Sequence, residues 1–307
     1  MKKQMTALVL GAALSLSAAT AVPFETSMNG GWKQVEPNTF EVKNKGAWHA
    51  SLVLKAGVKP GSCYRVSWDA SSRKGQGATS YGLILKLGET LFSGVNVPED
   101  PSPRTFCFYS GKADKAELSF FFSKNSTGDS KIANLKLEEL NEADMHGNLL
   151  TNGDFESDNL VPGDWRVREE KFTPNMKIVE NTGFVNGAKS LELTQKKDAA
   201  ATAIESVPLL ILPGKTYTLS FWAKAEGLDK MTVVVDMPSY GKKQEFQKFY
   251  PFALSGEWTK FTCKVTFPSD EAQFSLLARR RARVNIFCDN HNDGRILLDQ
   301  LEFKAEE

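Results

Sequence analysis

The side chains best suited to chemistry in this 307-residue chain are aromatic rings and forked polar groups that fall outside its apolar strand pattern. Trp48-His49 stands in a polar loop that follows FEVKNKG at 40–46. In AQFSLLARRRARVNIFCDN at 272–290, Phe274, Leu276 and Ala278 take one strand face, and Val284, Ile286 and Cys288 return to it. Period two then assigns Arg279, Arg281, Arg283 and Asn285 to the opposite face. Tyr240, Phe246, Phe249 and Tyr250 crowd the long segment SYGKKQEFQKFYPF at 239–252, while Tyr81 and Phe121 have the parity of a second face in the first half. Flat rings stack on apolar ring faces, and planar Asn and Arg groups reach the hydroxyls around them. Three guanidinium forks on one face suit carboxylates or sulfate esters. The arginines read more simply as a solvated turn or a patch paired with neighbouring carboxylates, and Trp48 as a packing residue.

Other chemistries lack material. Thirty-eight basic and 37 acidic residues give a formal charge of +1, so no basic field points to nucleic acid. Three histidines, and no C-x-x-C, leave little for a zinc centre. The chain contains no G-x-S-x-G, H-E-x-x-H or Walker sequence. A carboxylate pair for glycosidic cleavage stays open among the acidic residues, which keeps a jelly-roll lyase or hydrolase as the enzymatic alternative.

The elements that must position these residues read as two copies of one programme. Residues 1–21 form an export leader, with Lys2 and Lys3, an apolar Ala7–Leu16 run and the cleavage site Ala19-Thr20-Ala21. Beyond it, KPGSCYRVSWDAS (59–71) matches LPGKTYTLSFWAK (212–224), with Tyr64, Val66, Trp68 and Ala70 aligned on Tyr217, Leu219, Phe221 and Ala223. AELSFFF (116–122) matches AQFSLLA (272–278), and ANLKLEE (133–139) matches DQLEFKA (299–305). Alternating strands broken by Gly, Pro, Asn and Asp turns, with no sustained 3.6 period after the leader, predict an all-β protein of two tandem jelly-roll β-sandwiches. The first spans 22–141, net positive, and the second 147–307, net negative; NEADMHG at 141–147 links them.

The second copy opens GNLLTNGDFESDNLVPGDW, continues with LPGKTYTLSFWAKAEG and LSGEWTKFTCKVTFP, and closes ILLDQLEF. That ordered set resembles carbohydrate-binding modules of families 4 and 9, secreted jelly rolls related to the galactose-binding-like fold. The first copy resembles them more faintly: it keeps Trp48 and the PGSCYRVSWDAS strand but has no counterpart of Trp258. The resemblance implies binding to β-glucan, xylan or a similar polysaccharide, often beside a separate glycoside hydrolase. It also implies a cleft aromatic in the loop of Trp48, packing roles for Trp165 and Trp258, and a structural Ca²⁺ in the second domain held through Glu156 and Asp299. In the first copy Glu25 persists but Ala133 replaces the aspartate, which argues against a metal there.

Export places the four cysteines in an oxidising compartment. Strand parity selects Cys63–Cys107 and Cys263–Cys288 from the three connectivities. The expectation is a secreted or periplasmic, non-catalytic polysaccharide-binding protein, with no nucleic-acid partner and no membrane span in its mature form. Its ligand is β-glucan, xylan or, through the arginine row, an acidic glycan. An adhesive or structural extracellular protein, using the sandwiches for protein contacts, is the alternative from another class.

Overall fold

The computed structural model describes residues 19–45, 50–74, 80–87, 89–96, 102–121, 127–141, 143–145, 147–156, 165–167, 175–180, 187–207, 209–237, 246–269, 281–288 and 291–306. The first half contributes β1 (Thr20–Ala21), β2 (Glu25–Met28), β3 (Trp32–Glu36), β4 (Thr39–Lys45), β5 (Ser51–Gly57), β6 (Cys63–Lys74), β7 (Ser80–Leu87), β8 (Glu89–Asn96), β9 (Ser102–Tyr109), β10 (Lys115–Phe121) and β11 (Thr127–Leu140). The second contributes β12 (Trp165–Val167), β13 (Met176–Glu180), β14 (Lys189–Gln195), β15 (Ala203–Ser206), β16 (Leu209–Leu210), β17 (Thr216–Glu226), β18 (Lys230–Met237), β19 (Phe246–Ala253), β20 (Thr259–Thr266), β21 (Arg281–Cys288) and β22 (Gly294–Ala305). A 3₁₀ turn at Ala143–Met145 lies between them. No helix among the described residues is long and apolar enough to cross a membrane.

Each half is a sandwich of two antiparallel sheets, as the alternation predicts. In the first, β3-β4-β11-β6-β9 faces β2-β5-β10-β7-β8; in the second, β13-β14-β22-β17-β20 faces β12-β15-β21-β18-β19. The two strand orders correspond position by position, so the sequence repeat is a repeat of topology. Shared local devices confirm it. The Tyr64 hydroxyl accepts the Lys59 N–H at 2.7 Å, and the Tyr217 hydroxyl accepts the Leu212 N–H at 2.8 Å. Both rings are buried, so each hydroxyl tethers the preceding Pro-Gly turn to the core. Asn134 and Gln300 occupy matching places with φ of 53° and 52°. Each lies where the final strand shifts register, a bulge that bends the strand.

The cores follow the period-two pattern. Tyr64, Val66, Trp68, Leu118 and Phe120 fill the first, with the Trp68 and Phe120 rings edge-on at 5.1 Å. Tyr217, Leu219, Phe221, Val233, Val284 and Ile286 fill the second. Each such side chain contributes about 1.5–3 kcal/mol by leaving water. A third, smaller cluster joins the halves: Cys63, Met145 and Leu210 are buried together, with Cys107, Tyr109, Leu140 and Leu212 packed around them.

The structure holds neither of the expected disulfides. Cys63 and Cys107 do lie on neighbouring strands β6 and β9, but Cys63 pairs with Tyr109 and Cys107 with Arg65, so they are staggered by one pleat. Cys263 on β20 and Cys288 on β21 belong to opposite sheets, each buried in the apolar core. Burial pushes their thiols up to about 12. Most of the expected leader lies outside the described residues; at its end Thr20 and Ala21 pair with Glu139 and Glu138 of β11.

Candidate functional site

Strand β21 sorts its side chains by parity. Ala282, Val284, Ile286 and Cys288 enter the second core, leaving Arg281, Arg283, Asn285 and Phe287 on the outer face of the sheet. On β18, Met231, Val233, Val235 and Met237 point inward and Thr232, Val234 and Asp236 outward; on β19, Gln247, Phe249 and Pro251 are the outward set. Register then aligns them in rows. Val234 pairs with both Asn285 and Phe249, Asp236 with Arg283 and Gln247, and Thr232 with Phe287 and Pro251. Thr232, Val234, Asp236, Gln247, Phe249, Asn285 and Phe287 line a cleft of about 510 Å³ on this face.

Phe249 is the most exposed large apolar residue described, at 61%. A ring held open to water next to Gln247 on its own strand, in a cleft that Asn285 also lines, can stack on an apolar ring face. Beneath the cleft, Arg283 is fixed on both sides. Its Nε and Nη2 each donate to Asp236 at 3.1 Å, and its Nη1 donates to Glu205 at 3.0 Å. Asn285 is buried, and its Nδ2 donates to the Val234 carbonyl at 3.3 Å.

The arginine row is therefore not one anion-binding row. Arg283 belongs to two buried carboxylates, and Arg281 is covered, with its guanidinium carbon 4.4 Å from the centre of the Phe106 ring in the first sandwich. Arg279 lies outside the described residues, as do Trp48, His49 and Tyr240. Tyr250 faces the core side of β19: it packs against the second core and its hydroxyl donates to the Lys264 carbonyl at 2.6 Å. Its neighbour Phe249 takes the outward position instead. Read as a strand rather than a loop, FQKFYPF already alternates in this way, which is the signal that could have singled out Phe249 over Tyr250 and added Gln247. Asp236, Glu205, Thr232 and Phe287 were not anticipated.

The matching outer face in the first sandwich carries Lys115, Glu117, Ser119 and Phe121 on β10. Phe121 is half-buried between Ser51 and Gly82 on the flanking strands. Tyr81 lies on β7 opposite Val95. A cleft of about 710 Å³ at the other end of this face is lined by Glu25, Lys55, Lys86, Asp114, Lys115 and Glu117 among others. Glu117 pairs there with Lys86 at 3.1 Å and Lys55 at 4.0 Å, so its charges largely cancel.

The two carboxylates implied as calcium ligands each have protein partners in the structure. Glu156 Oε1 accepts the Ala188 and Lys189 N–H groups at 2.9 and 3.0 Å, and the Lys189 ammonium donates to the Glu156 carbonyl at 3.3 Å. Asp299 is fully buried and accepts the Gln300 N–H at 2.7 Å. Calcium requires six to eight oxygens, and no group of three His, Cys, Asp or Glu gathers among the described residues. Of the two expected packing tryptophans, Trp165 is buried beside Phe155, with ring centres 6.1 Å apart. Trp258 is half-buried under the Lys224 ammonium, 5.4 Å from its ring centre.

Comparison with solved structures gives distant likenesses. The N-terminal CBM22-1–CBM22-2 tandem domain of Paenibacillus barcinonensis Xyn10C is 16% identical, with a TM-score of 0.40 over 95% of this chain and 99% of that one. TmCBM61 in complex with β-1,4-galactotriose is 16% identical, with a TM-score of 0.37 over 52% and 99%. A CBM4 structure is 17% identical, with a TM-score of 0.38 over 51% and 99%. No curated protein matches. The family model described as "Carbohydrate binding domain" matches residues 147–278, the stretch that builds most of the second sandwich and all of β18 and β19. The second sandwich thus resembles the carbohydrate-binding domains of families 4 and 9, over the residues that the family model matches.

Proposed function

We propose that the protein is an exported, non-catalytic polysaccharide-binding protein whose second sandwich holds a neutral glycan chain across the outer face of β19-β18-β21. The observation that carries this reading is Phe249, an open ring beside Gln247 in a cleft continuous with Phe287 and Asn285. The ring and the amides match a sugar's two surfaces, an apolar face and a hydroxyl rim. Neutral chains, β-glucan or xylan, fit better than acidic ones, because Arg283 is already neutralised by Asp236 and Glu205. The same pairing supports a non-catalytic role. A catalytic carboxylate pair needs room for substrate and water between its members, whereas among the described residues Asp236 and Glu205 of this face both hold one guanidinium. The leader supports a secreted or periplasmic location.

Affinity electrophoresis against neutral and acidic glycans, with reducing-sugar release assayed alongside, tests the proposal. Retardation by at least one neutral glycan without sugar release is the expected result. No retardation by any glycan would count against binding, and sugar release would make the protein an enzyme.

A further inference from the structure

Arg281 has the parity of the cleft residues. It lies on the outer face of β21, one pleat from Arg283, about 7 Å along the strand. Outer-face residues of this sheet should meet water, yet Arg281 is only 6% exposed. Part of its cover comes from the first sandwich: the guanidinium lies over the Phe106 ring of β9. Around this contact the apolar cluster of Cys63, Met145 and Leu210 closes the junction, with Cys107, Tyr109 and Leu212 at its margin. Leu210 is also the residue that pairs with Arg281 through β16. Cys107 records the same junction electrostatically. Burial pushes its thiol up to about 11, against the opposing pull of Arg65 from its own sandwich and Arg281 from the other.

Resting on the glycan-face reading above, we propose that the first sandwich is a built-in part of the second sandwich's binding face. Through Phe106 it covers Arg281, two pleats from Asn285 along the same outer face, so that polyanionic glycans do not reach that guanidinium. Phe106 is thereby a positioning residue for specificity, supplied by one sandwich to the site of the other. A desolvated cation–π contact of this kind, once removed, shifts a closed-to-open junction by about 30-fold.

The test uses the full chain, kept reduced, with Phe106→Ala, Phe106→Tyr and the double variant Phe106→Ala/Arg281→Met. Cys107 alkylation by iodoacetamide, followed by peptide mass, reads the junction; retardation by polygalacturonate reads the face. Phe106→Ala is expected to accelerate Cys107 alkylation about 30-fold and to create polygalacturonate retardation that fades with salt. Phe106→Tyr should restore the parent behaviour, and the double variant should alkylate fast without binding polygalacturonate. Unchanged alkylation in Phe106→Ala overturns the clamp. Fast alkylation without a gain in polyanion binding, or a gain that survives in the double variant, overturns the masking of Arg281. Circular dichroism confirms that each variant is folded. Failure of the glycan face itself registers separately, as neutral-glycan binding that ignores Phe249→Ala.

Discussion

Removing Arg283 is expected to destabilise the second sandwich far more than removal of a surface arginine. The guanidinium makes three hydrogen bonds to two carboxylates whose side chains are only 6% exposed, and its own side chain is 16% exposed. Arg283→Ala leaves Asp236 and Glu205 facing each other across the vacated space. Breaking a buried ion pair from one side costs about 3–5 kcal/mol. The cleft admits water above the pair, which favours the lower end, about 3 kcal/mol. For a domain of this size each kcal/mol moves the thermal midpoint by about 2–4 °C, so a drop of about 6–12 °C is expected. Differential scanning calorimetry of the full chain, monitoring the transition of the second sandwich, measures it. Arg283→Lys should recover only part of the loss, because an ammonium cannot hold two carboxylates with one fork. A double-mutant cycle with Asp236→Asn should show coupling above about 0.5 kcal/mol. A drop below about 2 °C, with additive single variants, would refute the reasoning and reduce the network to screened surface charge.

Three further outcomes follow from other parts of the molecule. Tyr217→Phe removes the acceptor for the Leu212 N–H and should cost about 1–3 kcal/mol, seen as a lower urea midpoint with an unchanged slope; Tyr64→Phe should do the same in the first sandwich through Lys59. Cys263 and Cys288, pushed up to about 12 by burial, should react with maleimide at pH 8 only on unfolding, and four thiols should titrate in denaturant; a count below four would show a disulfide. Calcium or a chelator should leave the thermal midpoint in place, since the Lys189 ammonium already occupies the Glu156 carbonyl; a rise of several degrees with calcium would mean that the lysine gives way to an ion.

What could be read beforehand was whatever local pattern controls. The Pro-Gly turns, the alternation in CYRVSWDA and TYTLSFWAK, and the twofold repeat are all local, and the two sandwiches carry them through in the same strand order. The arginine run shows where local reading stops. Parity placed Arg281 and Arg283 on the outer face correctly, but their partners come from β18, 47 residues away, from β15, 78 residues away, and from the first sandwich. Only the tertiary register turns that row from exposed donors into a buried ion network and a domain clamp. Phe249 and Tyr250 are a similar case, since adjacent strand residues face opposite ways and aromaticity alone cannot choose between them. Cys63 and Cys107 were placed on neighbouring strands by parity, yet a stagger of one pleat separates a neighbour from a directly facing pair.

Binding of a glycan at Phe249 is tested most directly by the affinity of Phe249→Ala for whichever neutral polysaccharide retards the parent protein. At 61% exposure the ring contributes little to the core, so the thermal midpoint should stay put while affinity falls by about tenfold or more, the loss expected for a central aromatic contact. An affinity equal to the parent's, with the fold intact, would contradict the account and move the glycan to another face.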